Sequence, residues 1–176
     1  KEMKRYLVFF FCCCLHKQEI EKLQKFFAAT ALRQKILQGT PSFLEQTTRS
    51  FFYAGASWSD RITIVKQHVK YLEKVTKPAF MEQLYCEHKP IVLWQQDVQE
   101  KPLTMELSFH GGQRKEGCLC LVLNWGEKPF YQLMFWLAPG FAKESALWVG
   151  ALQGTSLGND AVKAMTKQFF GYRTKN

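Results

Sequence analysis

The second half of this 176-residue chain holds four apolar runs whose connectors are too short for helical crossovers, and this limits its topology more than any other feature. The runs are LTMELSF (103–109), CLCLVLN (118–124), FYQLMFWL (130–137) and ALWVGAL (146–152). Between them lie HGGQRKEG, WGEKP and APGFAKES, each with glycine and two with proline, which is turn chemistry. A parallel pair needs a crossover of about a dozen residues or more, so neighbouring runs should pair antiparallel as a four-stranded meander. Several runs are apolar at successive positions, so helices should cover at least one face of the sheet. A further run, IVLW (91–94), can add an edge strand.

The first half follows a helical period. Residues 18–37 place Ile20, Leu23, Phe27 and Ala31 on one stripe, which predicts a helix closed at Gly39. Thr40 is the expected N-cap, and Pro41 the first-turn residue, of a short helix carrying Phe43, Leu44 and Phe51. In SWSDRITIVKQHVKYLEKV, Ser57 and Asp60 fit a capping box, and Trp58, Ile62, Val65, Val69 and Leu72 recur at helical spacing. A short helix reaching Tyr85 and a final helix over 159–170, burying Val162, Met165 and Phe169, complete the set. Helical half, antiparallel meander, then helix make a single α+β domain over 1–176.

Charge and cysteine use narrow the class. A net charge of +9 suits an anionic partner. The Lys and Arg lie at helix-surface spacing through the helical half, however, and no RRM or KH signature is present. Tyr131, Phe135 and Trp125 have apolar neighbours, so no nucleic-acid platform is expected. Cys12, Cys13 and Cys14 are consecutive, Cys118 and Cys120 share one strand face, and Cys86 stands alone. That is neither a disulfide framework nor a zinc-ligand spacing, so a reducing, cytoplasmic compartment and no metal are expected.

At the N-terminus Lys1, Lys4 and Arg5 precede ten apolar residues, Tyr6 to Leu15. The run looks like the start of a secretory signal, but it meets HKQEIEK with no small-residue cleavage site. It is too short to cross a bilayer. The expectation is a helix over 6–15 whose Phe9–Phe11 and Cys12–Cys14 sides are buried against the domain or an anionic membrane surface.

Four stretches together resemble the VirK/YbjX family of Gram-negative bacteria: RITIVKQHVKYLEKV, KEGCLCLVLNW, FYQLMFWL and LWVGALQGTSLGNDAVKAMTKQFFGYRTKN. The likeness runs from about Lys17 to Asn176. It implies a virulence-associated bacterial protein of the cytoplasm or inner-membrane surface, linked to envelope properties, with a binding or regulatory role and unsettled biochemistry. The family's chains continue past this exit, so a C-terminal continuation is expected. Ala151 and Thr174 depart from the family's usual Gly and Pro.

One stretch invites chemistry. GALQGTSLGND is similar to the strand-end loop with which GNAT acetyltransferases hold the pyrophosphate of coenzyme A, and the order of elements is also GNAT-like. The likeness would make Gln153, Gly154 and Gly158, with Lys163 and with Arg114 from the basic hairpin, an anion or cofactor site for an acyl donor. Gly154 follows Gln153 at once and Gly158 comes five positions after it, which departs from the GNAT spacing. A plain corner with Asn159 as N-cap, and no cofactor, is therefore the expectation. His68 and Glu106 are the candidate acid/base groups, with His68 expected beside the apolar stripe of its helix. His110 could join Arg114 and Lys115 at a phosphate. Cys118 and Cys120 read as small core residues. His16 and His88 have no evident partner.

Overall fold

A five-stranded antiparallel sheet carries the fold, with its strands in simple sequence order. The computed structural model describes residues 2–48, 52–109, 116–140, 144–154 and 158–169, with side chains left aside at 2, 4, 5 and 158–161. Six helices come first: α1 (Glu2–Leu15), α2 (Lys17–Ala28), α3 (Ala31–Gly39), α4 (Ser42–Thr47), α5 (Trp58–Val75) and α6 (Pro78–Tyr85). The strands are β1 (Ile91–Val98), β2 (Lys101–Ser108), β3 (Leu119–Trp125), β4 (Lys128–Pro139) and β5 (Ser145–Gly154), and α7 (Gly158–Gln168) follows. The expected α+β class and antiparallel meander are both present, with IVLW lengthened into a full edge strand.

Register places Leu107 beside Leu121, Leu121 beside Leu133, and Leu119 beside Phe135. That row packs against Leu23, Phe27 and Ile36 of α2 and α3, Phe43 of α4, Val65 and Val69 of α5, and Leu84 and Tyr85 of α6, in one main core. A smaller core at the other end joins Met165 of α7 to Val98, Leu103 and Phe130. The first two strands meet in a turn at Gln99 and Glu100, both with positive φ (51° and 60°).

Two helical boundaries differ from expectation. The stretch read as one helix over 18–37 breaks after Ala28, because Thr30 takes an extended conformation and its hydroxyl accepts the Arg33 N–H at 3.2 Å. The new helix turns Arg33 inward, where its guanidinium grips the Glu73 carboxylate at 2.7 and 2.6 Å and lies over the Phe26 ring. Thr40 does not cap α4. Its hydroxyl donates to the Tyr85 carbonyl at 2.6 Å, tying the end of α3 to the end of α6. Phe51 lies outside the described residues. The capping box at Ser57 and Asp60 is present in both directions.

Candidate functional site

The corner between β5 and α7 is the first candidate. Gln153 pairs with Gln132 and Gly154 with Tyr131 at the end of β5, and Gly158 opens α7. A connector of only three residues, 155–157, therefore separates strand from helix. A Cβ at Gly154 would meet the Tyr131 ring at 3.4–3.6 Å, an ordinary contact. Lys163 lies exposed one turn into α7 and is engaged with a neighbour. Ser156, and with it the loop's own amides, lies outside the described residues, as do His110, Arg114 and Lys115.

Just before this corner the β4–β5 ladder slips. Met134 faces Ala151 while Phe135 faces Val149, so Gly150 is an extra residue on β5. Such bulges twist a strand and re-aim its amides. The carbonyl of Glu116 abuts the Gly150 Cα, where a side chain would collide with it. β5 is also the outer strand of the sheet, with Leu147, Val149 and Leu152 exposed.

Glu106 does not join the corner. It lies half-buried on β2 between Val92 and Val122, and the same cross-sheet row continues through Gln132 to Gln153. Three strand spacings of about 4.8 Å separate Glu106 from Gln153, roughly 14 Å, too far to serve one reacting atom.

His68 stands elsewhere again and is fully buried, where the sequence reading had it beside the apolar stripe. The cause lies in the sheet. Phe135 turns its carbonyl toward β3, accepting the Cys118 N–H at 2.9 Å, and β3 ends there. Leu137, two residues on, points the same way with no strand left to pair with. Its N–H donates instead to His68 Nδ1 at 2.9 Å. With Nδ1 accepting, the neutral ring carries its proton on Nε2, which donates to the Tyr85 hydroxyl at 2.8 Å. Burial pushes the His68 pKa down to about 3 and holds Tyr85 well above its ordinary value. His68 thus completes the edge of the sheet with a fixed tautomer.

The cysteines follow the same logic. Cys118 and Cys120 are buried; burial raises both thiols, Cys120 to about 11, so neither is a thiolate at neutral pH. His88 Nε2 donates to the Gly39 carbonyl (3.0 Å), and His16 stacks on Trp58 with centroids 4.1 Å apart. Both histidines have partners that sequence reasoning missed. Among the described residues no cluster of three or more His, Cys, Asp or Glu could hold a metal ion.

The second candidate is a surface. Apolar residues of α1 stand in the open: Leu15 is 79% exposed, Tyr6 72%, Phe10 62% and Phe11 61%. The expected burial of this helix against the domain is not seen at those positions; only Phe9, Cys12 and Cys13 of its apolar run are half-buried. Among the described residues no helix is long and apolar enough to cross a membrane.

No curated protein matches the chain. No solved structure matches it either. Residues 1–176 match the family described as "Protein of unknown function (DUF535)", and the chain therefore belongs to that family.

Proposed function

We propose that this protein is a binding or regulatory module working at the cytoplasmic face of an anionic bacterial membrane, affecting envelope or virulence properties as the VirK/YbjX resemblance implies. The observation that carries this reading is the exposed apolar surface of α1. At 14 residues the helix is roughly 21 Å long, against about 30 Å of hydrocarbon, so it would lie in the interface and not cross it. Burying one large apolar side chain fully is worth roughly 1.5–3 kcal/mol; a third of that over Tyr6, Leu7, Val8, Phe10, Phe11 and Leu15 is roughly 3–6 kcal/mol. Lys1, Lys4 and Arg5 add about 1 kcal/mol each near anionic lipid.

The protein should therefore float with phosphatidylglycerol vesicles, less at 500 mM salt than at 50 mM, and much less with phosphatidylcholine alone. Phe10→Asp with Phe11→Asp should abolish flotation without moving the melting temperature, because both rings are solvent-exposed. Equal flotation of the double variant would remove the helix from the reading.

A second reading, an acyltransferase using an acyl-coenzyme A donor, is favoured by one feature: the bulge at Gly150 directly before the Gln153–Gly158 corner. A donor at a hundred times its dissociation constant adds about 2.7 kcal/mol to stability, roughly 5–10 °C for a domain of this size. Coenzyme A should raise the melting temperature by that order in the native protein. In Gly154→Val, which puts a branched side chain at the start of the loop, it should not. No shift with coenzyme A or acetyl-coenzyme A would dispose of this reading and leave the first intact.

A further inference from the structure

A cavity of about 660 Å³ opens between the first turns of α5 and the far end of the β4–β5 pair, at the opposite end of β5 from Gly154. That volume lies within the range of small-molecule sites, roughly 300–1,000 Å³. Its lining is mostly apolar and includes two indoles, the half-buried Trp148 and, behind it, the buried Trp136. Trp136 and Trp148 stack nearly parallel, 11° apart with centroids at 6.1 Å. Phe52 meets Trp136 edge-on at 4.7 Å, and Trp148 Nε1 donates to the Pro139 carbonyl at 3.2 Å. Both rings are thus held in place before any ligand arrives.

Among the described lining residues one is charged, and it is an acid. Asp60 stands in the cavity wall with Tyr53 and Thr63. Its Oδ2 accepts the Ser57 N–H at 2.9 Å and the Ser57 hydroxyl at 2.7 Å, and Tyr53 also bonds to it. These bonds, the Ser57 hydroxyl first, hold its pKa below the ordinary carboxylate value, so it is an anion at neutral pH. The adjacent Arg61 turns its guanidinium to the Thr47 and Ala56 carbonyls at 3.3 and 2.8 Å. Among the described residues no Lys or Arg lines the cavity, although the chain as a whole carries +9.

Aromatic faces attract cations through their quadrupoles, most strongly tryptophan. A neutral apolar ligand would gain the rings but strip water from Asp60 without compensation, and an anion would be repelled. A cation gains from both. We propose that this cavity binds an organic cation of the quaternary-ammonium class, with Trp148, backed by the buried Trp136, as its aromatic wall and Asp60 as its counter-ion. The proposal is independent of the α1 surface and of the β5–α7 corner.

The test is titration of the full chain with benzyltrimethylammonium, followed by calorimetry and tryptophan fluorescence, against benzyl alcohol and benzenesulfonate. The cation should bind saturably, benzyl alcohol about tenfold more weakly, and the sulfonate not at all. Asp60 is the N3 residue of the α5 capping box, and asparagine keeps an oxygen there that can accept the Ser57 N–H, so the fold should persist. Its cation affinity should fall about tenfold while benzyl alcohol changes less than twofold. Thr63→Lys, at an exposed position on α5, puts an ammonium at the wall and should abolish cation binding with an unchanged circular-dichroism spectrum. Equal affinity for cation and alcohol in the native chain would overturn the proposal. So would full cation binding by Asp60→Asn or Thr63→Lys, or no saturable binding by any of the three compounds.

Discussion

Replacing His68 with leucine should lower the unfolding free energy by about 2–4 kcal/mol, the sum of two buried polar groups left without partners at about 1–2 kcal/mol each. The groups are the Leu137 N–H and the Tyr85 hydroxyl. For a domain of this size that is a fall in melting temperature of roughly 4–16 °C. Leucine restores most of the volume, so the loss measures hydrogen bonding more than cavity formation. A double-mutant cycle isolates the pair: Tyr85→Phe should cost less in the His68→Leu background than alone, because the hydroxyl's partner is already gone. A His68→Leu protein within 0.5 kcal/mol of native would show that the edge needs no histidine.

The same residue sets a pH dependence. Burial holds its folded pKa at about 3 against an unfolded value of 6.5. The unfolded chain therefore binds a proton that the folded chain refuses. The stability linked to His68 is complete above pH 6.5 and is lost as pH falls toward 3, with a slope approaching about 1.4 kcal/mol per pH unit. Asp60, whose pKa is lowered chiefly by the Ser57 hydroxyl, also favours unfolding on acidification, in the lower range where carboxylates titrate. The difference between native and His68→Gln proteins removes that shared part. Urea midpoints at pH 7.5, 6 and 5 should converge as pH falls; parallel curves would contradict a buried neutral ring.

How much of this could be read from the residues depends on whether the cause is local. The capping box at Ser57 and Asp60 and the stripe Ile62, Val65, Val69, Leu72 declare α5 because every contributor lies within a few positions. The strand runs and their short connectors declare the meander for the same reason. The β1–β2 turn was not legible: Gln99 and Glu100 both take positive φ, a conformation usually left to Asn and Gly, and the pairing of Val98 with Lys101 closes the turn around them. The break at Thr30 was hidden because the apolar stripe continues across it. His68 reads from the sequence only as an edge-of-core residue beside its helix's apolar stripe, because its full burial comes from the end of a strand more than fifty positions away. For the candidate corner, residue types at Gln153, Gly154 and Gly158 were readable, while the bulge at Gly150 depends on cross-strand register, which no run of residues announces.

The second large effect belongs to two glycines serving one crossing of the chain. Where residues 116–118 enter β3 they pass against β4 and β5. A Cβ on Gly117 would fall 2.5 Å from the Phe135 nitrogen and 2.7 Å from its oxygen. A Cβ on Gly150 would strike the Glu116 carbonyl. In both cases the obstacle is backbone, which cannot rotate away as a side-chain tip can. Gly117→Ala must also displace the bond from the Cys118 N–H to the Phe135 carbonyl, at the very edge that His68 completes. A loss of about 3 kcal/mol or more is expected for Gly117→Ala, and a similar loss for Gly150→Ala. Gly126→Ala is the control. Its φ is +61° but its Cβ would meet nothing within 4 Å, so it should cost only about 1 kcal/mol, the strain of a left-handed residue. Because both crowded glycines make way for the same three residues, the losses should not add: once the crossing has shifted for one alanine, the second meets less resistance. Urea midpoints at constant slope measure all four variants against the native chain. Gly117→Ala no worse than Gly126→Ala would mean that the crossing is loose, and full additivity in the double variant would mean that the two glycines answer to separate constraints.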